Sequence, residues 1–174
     1  MNKRIYILLI VSMLTSSMFG QFIGKDYLSV SLFYFQKTEL DSAKKYIDFA
    51  IADEELGASA KTWFYKGYIY KDLYKKNEKS NKTSPLRIES IEAFEQMLTL
   101  DGHEEFLINT NKILKYEAST VYNDAARMLN PENYKLAITN FELFKKAMLL
   151  SNPTVDLKVR DIEFKLALAS MLNK

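Results

Sequence analysis

Residues 63–70 read Trp-Phe-Tyr-Lys-Gly-Tyr-Ile-Tyr, and residues 90–102 read Ser-Ile-Glu-Ala-Phe-Glu-Gln-Met-Leu-Thr-Leu-Asp-Gly. In the first stretch Trp63, Gly67 and Tyr70 recur at steps of four and three, which places them on one helix face. A mid-helix glycine costs ~1 kcal/mol against alanine. Gly67 therefore marks a point where the backbone of another helix must come close. In the second stretch Ser90, Phe94 and Met97 follow the same steps, and Asp101-Gly102 ends the run. Two further segments repeat this pattern. AKKYIDFAIADEE places Ala43, Ile47 and Ala50 on one stripe, and AITNFELFKKAML does the same with Ala137, Phe141 and Phe144.

Outward from these stretches the chain reads as helix, turn, helix, repeated. Ser84-Pro85, Asn130-Pro131 and Asn152-Pro153 each pair a capping side chain with a proline suited to the first helical position. Gly57 and Gly102 mark stops. The spacing predicts seven helices, over about 25–36, 39–54, 58–75, 86–100, 103–129, 132–150 and 154–172. Strand-like alternation is absent, and only 5 glycines and 3 prolines occur in 174 residues, so the fold class is all-α. Residues 76–84 read as a polar loop. Lys75, Lys76, Lys79 and Lys82 cluster there among Asn, Ser and Glu78, a pattern of solvated side chains and not the basic stripe that nucleic-acid binding needs.

Met1–Gly20 carries Lys3 and Arg4, then an apolar run from Ile5 to Leu14, then Thr15-Ser16-Ser17. That is the layout of a Sec-type signal peptide, and the apolar run is short for a membrane span of about 20 residues. The expected product is an exported protein of the periplasm or cell envelope of a bacterium, with no membrane span after cleavage. Residues 1–20 hold two of the 24 basic residues and none of the 22 acidic ones. Residues 21–174 are then formally neutral, 22 against 22. With no cysteine and one histidine, thiol catalysis, cysteine-ligated metal and Ser–His chemistry have no residues to use. His103 reads as an exposed first-turn residue beside Glu104 and Glu105. None of G-x-S-x-G, G-x-x-x-x-G-K or H-E-x-x-H occurs. The expectation is a binding protein and not an enzyme, with no cofactor and no metal.

These residues resemble the tetratricopeptide repeat (TPR) family. Trp63, Gly67 and Tyr70 match its first helix, and Ser90, Phe94, Met97 and Asp101-Gly102 its second. Tyr27, Ser31 and Tyr34 with Ala43 and Ala50 match an earlier repeat. Val121, Ala125 and Met128 with Ala137 and Phe141 match a later one. Ser31 to Ala43 keeps the family's spacing of twelve, whereas Gly67 to Ser90 is 23, an eleven-residue insertion around 76–86. The helix at 103–129 is about two turns longer than the family's. The resemblance implies antiparallel helix pairs stacked as a short right-handed superhelix over residues 21–174. The repeats would lie at about 25–56, 58–101 and 103–153, with a closing helix at 154–172.

In that family the first helices of the pairs line a groove that holds a peptide or a partner's helix. The resemblance therefore implies a groove of Lys25, Leu28, Leu32 and Phe35 in the first repeat. Lys61, Phe64, Tyr68 and Lys71 would follow in the second, and Tyr122 and Ala126 in the third. A ligand there would be apolar or aromatic with some acidic character. Members that grip a C-terminal carboxylate use an Asn where Leu32, Tyr68 and Ala126 stand, so that subclass does not apply. An alternative reading makes the chain an assembly subunit, with the apolar faces of 25–36 and 154–172 forming oligomer contacts.

Overall fold

The computed structural model describes residues 26–172. The expected signal peptide 1–20, the stretch 21–24 and Lys25 of the expected groove lie outside the described residues. Among the described residues there are eight α-helices and no strand. They are α1 (Tyr27–Gln36), α2 (Leu40–Ala52), α3 (Glu54–Gly57), α4 (Ala60–Leu73), α5 (Pro85–Leu98), α6 (Leu107–Arg127), α7 (Tyr134–Ser151) and α8 (Lys158–Leu172). A π turn, Tyr74–Glu78, prolongs α4, and a 3₁₀ turn, His103–Phe106, precedes α6. Among the described residues no helix is long and apolar enough to cross a membrane.

Of the three proline starts, one is the cap the sequence predicts. Ser84 Oγ accepts the N–H of Arg87 at 3.2 Å, and Pro85 is the first helical residue. The two Asn-Pro pairs act differently. Asn130 Oδ1 accepts the N–H groups of Glu132 and Asn133 at 3.1 and 2.9 Å, which builds a turn ahead of α7. Asn152 Oδ1 accepts from Thr154 N–H at 3.2 Å, and α8 begins only where Asp156 Oδ1 takes the N–H of Lys158 at 2.9 Å. Asparagine competes for its own local N–H groups, so each pair bends the chain before the helix starts. The expected helix 39–54 breaks earlier, because Asp53 takes the N–H groups of Glu55 and Leu56 and starts α3. The stop at Gly102 has φ +77°, which glycine adopts without a Cβ clash.

Helices joined by turns pack as hairpins: α1 with α2, α4 with α5, and α6 with α7; α2 also lies against α4. The three predicted stripes, Ala43/Ile47/Ala50, Ser90/Phe94/Met97 and Ala137/Phe141/Phe144, are all buried. They feed two apolar clusters. One joins α1, α2 and the end of α4 through Leu28, Ile47 and Leu73. The other joins the start of α4 to α5, α6, α7 and α8 through Phe64, Phe94, Leu114, Phe141 and Phe164. Helix α4 serves both, which accounts for five aromatic rings in the eight residues from Trp63.

Gly67 is close-packed, but against a side chain and not a second backbone. A Cβ there would lie 2.7 Å from the Phe94 ring. Ser90 Oγ meanwhile donates to Gly67 O at 2.9 Å, and in the first hairpin Ser31 Oγ donates to Ala43 O at 2.8 Å. In both hairpins a serine on one helix satisfies a carbonyl of the other, from opposite sides. The corresponding pair in the third hairpin, Ala125 and Ala137, is fully buried without such a bond.

Candidate functional site

The groove candidates do not form one wall. Leu28 is buried in the α1–α2–α4 cluster, with Leu32 and Phe35 packed half-buried against it. Phe64 is 5% exposed and stacks on Phe106 with centroids 4.7 Å apart. It belongs to the core, because the start of α4 faces α5 and α6 and its ring fills that contact. Lys61 is exposed. Three candidates do come together: the Phe35 ring meets Tyr68 edge-on at 5.3 Å, and Lys71 Nζ sits 4.0 Å from the Tyr68 centroid. Lys71 also pairs with Asp72 at 2.7 Å. Tyr122 lies across the molecule, half-buried, 5.1 Å from Phe144 and with the Arg160 guanidinium 5.4 Å from its centroid. Ala126 is exposed.

What connects these positions is the outer face of α6. Ile108, Lys112, Lys115, Ser119, Tyr122 and Ala126 recur at steps of four and three, one stripe of the helix. All but Tyr122 are exposed, Ile108 at 72%. The opposite stripe, including Leu114, Ala118, Val121 and Ala125, is buried.

Each flank of this face opens into a cleft. On the α4 side a space of about 160 Å³ is lined by Lys71, Lys75, Lys112, Ile113 and Tyr116. There Lys75 Nζ lies 5.6 Å from the Tyr116 centroid. On the α8 side a space of about 340 Å³ is lined by Tyr122, Phe144, Met148, Leu157 and Arg160, among others. Lys112, Lys115 and Tyr116 were not among the sequence candidates. Tyr122 and Ala126, the two positions that the family resemblance implies, share a four-three register that reaches Ser119, Lys115 and Lys112 when carried nearly three turns back along α6. Lys75 is not a loop lysine, because the π turn carries helical structure through residues 74–78 and aims it at α6.

Polar groups sealed beneath this face hold it in place. Arg87 is almost fully buried. Its Nη1 donates to Asp124 Oδ2 at 2.8 Å and to Tyr74 Oη at 3.0 Å, and its Nη2 donates to Lys82 O at 2.8 Å. Asn140 Nδ2 donates to the same carbonyl at 3.0 Å. The polar stretch 79–84 is thus tied to α5 and α7 through one backbone oxygen.

Glu117, fully buried on the inner side of α6, has Oε2 3.1 Å from Ser90 Oγ and no partner for Oε1. Burial pushes its carboxyl up to about 8, against the lowering pull of the Ser90 hydrogen bond, Lys71 and Arg87. The Ser90 hydroxyl has one proton, and Gly67 O already lies in its donor range. A protonated Glu117 donates to Ser90 Oγ and lets Ser90 donate to Gly67, so both bonds form at once.

Among the described residues no group of three or more metal-ligating side chains comes together. No family model, curated protein or solved structure matches this chain.

Proposed function

We propose that this chain is a non-enzymatic protein-interaction module of the tetratricopeptide kind, exported to the periplasm or envelope of a bacterium, which holds a segment of another protein on its α4–α6–α8 face. The observation that carries the reading is the outer face of α6, exposed along its length and flanked by a cleft on each side. Ligand sites are concave, with apolar walls and a few placed polar groups; the α8-side cleft has that make-up, and the α4-side cleft sets three lysines beside Ile113 and Tyr116. The hairpin pairing of α1–α2, α4–α5 and α6–α7 supports the repeat resemblance, as do the serine-to-carbonyl bonds at its small-residue positions. The export assignment rests on Met1–Gly20 alone.

A photo-crosslinking residue at Ser119 tests the reading. In an envelope fraction it should trap a partner that the same residue at Glu92, exposed on α5, does not. Equal trapping at both positions, or none at Ser119, discards it.

The assembly-subunit alternative has its own observation. Val159, Ile162 and Leu166 form an apolar stripe on α8 exposed to 67%, 57% and 66%. Mass measurement of the mature chain in solution separates the two: a concentration-independent monomer removes the alternative.

A further inference from the structure

We infer that the segment held on α6 is an extended acidic stretch carrying one large apolar side chain four or five residues from its carboxylates. This rests on the reading above and names the chemistry of its partner. The first cleft supplies the cations. Lys71 is already paired with Asp72, whereas Lys75 and Lys112 form no ion pair among the described residues. Lys115, one turn along α6, is likewise unpaired there.

Most acidic groups near these lysines are already paired or uncharged: Asp72 is held by Lys71, Asp124 by Arg87, and Glu117 is sealed behind the helix, where burial favours its uncharged form. Asp156, a carboxylate that caps α8, lies at the second cleft and not beside Lys75 or Lys112. A face with spare ammonium groups beside tyrosine rings favours carboxylates that arrive from outside.

The second cleft supplies the apolar anchor site. Its apolar lining is Tyr122, Phe144, Met148 and Leu157, and Lys115, Arg160 and Asp156 supply its charged groups, two cations against one carboxylate. A methionine wall adapts to the shape of what it receives. At about 340 Å³ the space suits one aromatic or branched side chain and not a folded surface.

Spacing joins the two. Lys112 and Tyr122 are ten residues apart, about 15 Å along a helix rising 1.5 Å per residue. An extended chain covers ~3.3 Å per residue, so four or five residues bridge the clefts.

The test uses the mature chain and fluorescein-labelled synthetic peptides, read by anisotropy. The reference peptide carries two glutamates and a phenylalanine separated by four Gly/Ser residues. It should bind at least tenfold more tightly than three relatives: one with Gln for Glu, one with Ala for Phe, and one with a single-residue spacer. Lys75→Glu with Lys112→Glu, both surface changes, should cost at least tenfold for the reference peptide while leaving the circular dichroism unchanged. Added salt should weaken the reference peptide more than the Gln version.

Equal binding of the Glu and Gln peptides, indifference to the lysine reversals, or equal competition by an oligonucleotide of the same charge overturns the inference. If neutral phenylalanine peptides bind and crosslink at Ser119 with no preference for charge, the acidic assignment fails and the binding face stands. If no peptide of either charge binds or crosslinks at Ser119, the binding face itself fails.

Discussion

Glu117 is the residue at which folding and protonation meet. Its ordinary value is 4.5, and in the fold burial takes it to about 8. Between those values the folded chain holds one proton that the unfolded chain has released. Stability contributed by the neutral carboxyl is therefore complete below about pH 4.5, declines as pH rises, and is gone above about pH 8. The slope is at most about 1.4 kcal/mol per pH unit. Gln matches the protonated acid in shape and in its ability to donate to Ser90. The melting temperature of Glu117→Gln should accordingly stay flatter between pH 5 and 8 and exceed that of the native chain at pH 8. Parallel curves for the two proteins would show that Glu117 is ionised in the fold. Thr38 is a second residue with a single physical story. It ends α1 with φ +60°, and Glu39 N–H reaches back to Tyr34 O at 3.0 Å, the pattern of a left-handed helix stop. A residue with a Cβ costs roughly 1–2 kcal/mol in that conformation, and glycine does not carry it. Thr38→Gly should raise the melting temperature by a few degrees, as calorimetry would record.

At the scale of elements, the stretch 79–84 is held both by its own turn, in which Asn81 accepts from Thr83 and Ser84, and by groups from α5 and α7. Lys-Ser-Asn-Lys-Thr-Ser contains nothing apolar to bury, yet Lys82 O receives both Arg87 and Asn140. Asn140→Ala removes one of these donors and leaves the Arg87–Asp124 pair intact. It should speed tryptic cleavage after Lys79 and Lys82 severalfold at 25 °C, with little change in helicity; unchanged cleavage would mean that Arg87 and the Asn81 turn hold the segment without Asn140. This element also shows where sequence reading stops. The stripes at Ala43, Ser90 and Ala137 could be read in advance, because periodicity at three and four reports burial directly. The π turn could not, since its residues Tyr-Lys-Lys-Asn-Glu look like the fraying end of any helix. It continues because Tyr74 is buried and its hydroxyl accepts from Arg87, thirteen residues away. For a related reason α8 starts at Lys158 and not at the residue after Asn152-Pro153. An Asn-Pro pair is compatible with a cap or a turn, and Asp156 decides between them. The proposed face is half legible in the sequence. Tyr68, Lys71 and Tyr122 follow from the family resemblance, but the lysines opposite them depend on how α4 and α6 lie together.

For the molecule as a whole, the decisive feature is that one helix belongs to two cores. Phe64 and Ile69 are five residues apart on α4, and each is sealed into a different apolar cluster. Repeat arrays are held by neighbour contacts and lose cooperativity when an interface is weak. Here the interface is a single continuous helix, and it cannot keep one face folded while the other is open without stranding Phe64, Tyr70 or Leu73 in water. Phe64→Ala is therefore unsuitable as a probe of binding. Truncating a buried aromatic costs about 3–5 kcal/mol, so loss of capture would report unfolding, whereas Tyr116→Ala alters a ring that is 38% exposed. The same reasoning predicts one unfolding transition. Trp63 is the sole tryptophan, and its Nε1 donates to Gly57 O at 2.8 Å at the α3–α4 junction. In urea its fluorescence and the far-ultraviolet circular dichroism should give the same midpoint. Phe94→Ala, in one cluster, and Leu73→Ala, in the other, should each lower both midpoints together by an amount equivalent to about 2–5 kcal/mol. If Leu73→Ala instead splits the two signals, with dichroism lost before fluorescence, the α1–α2 hairpin melts independently and α4 does not couple the halves.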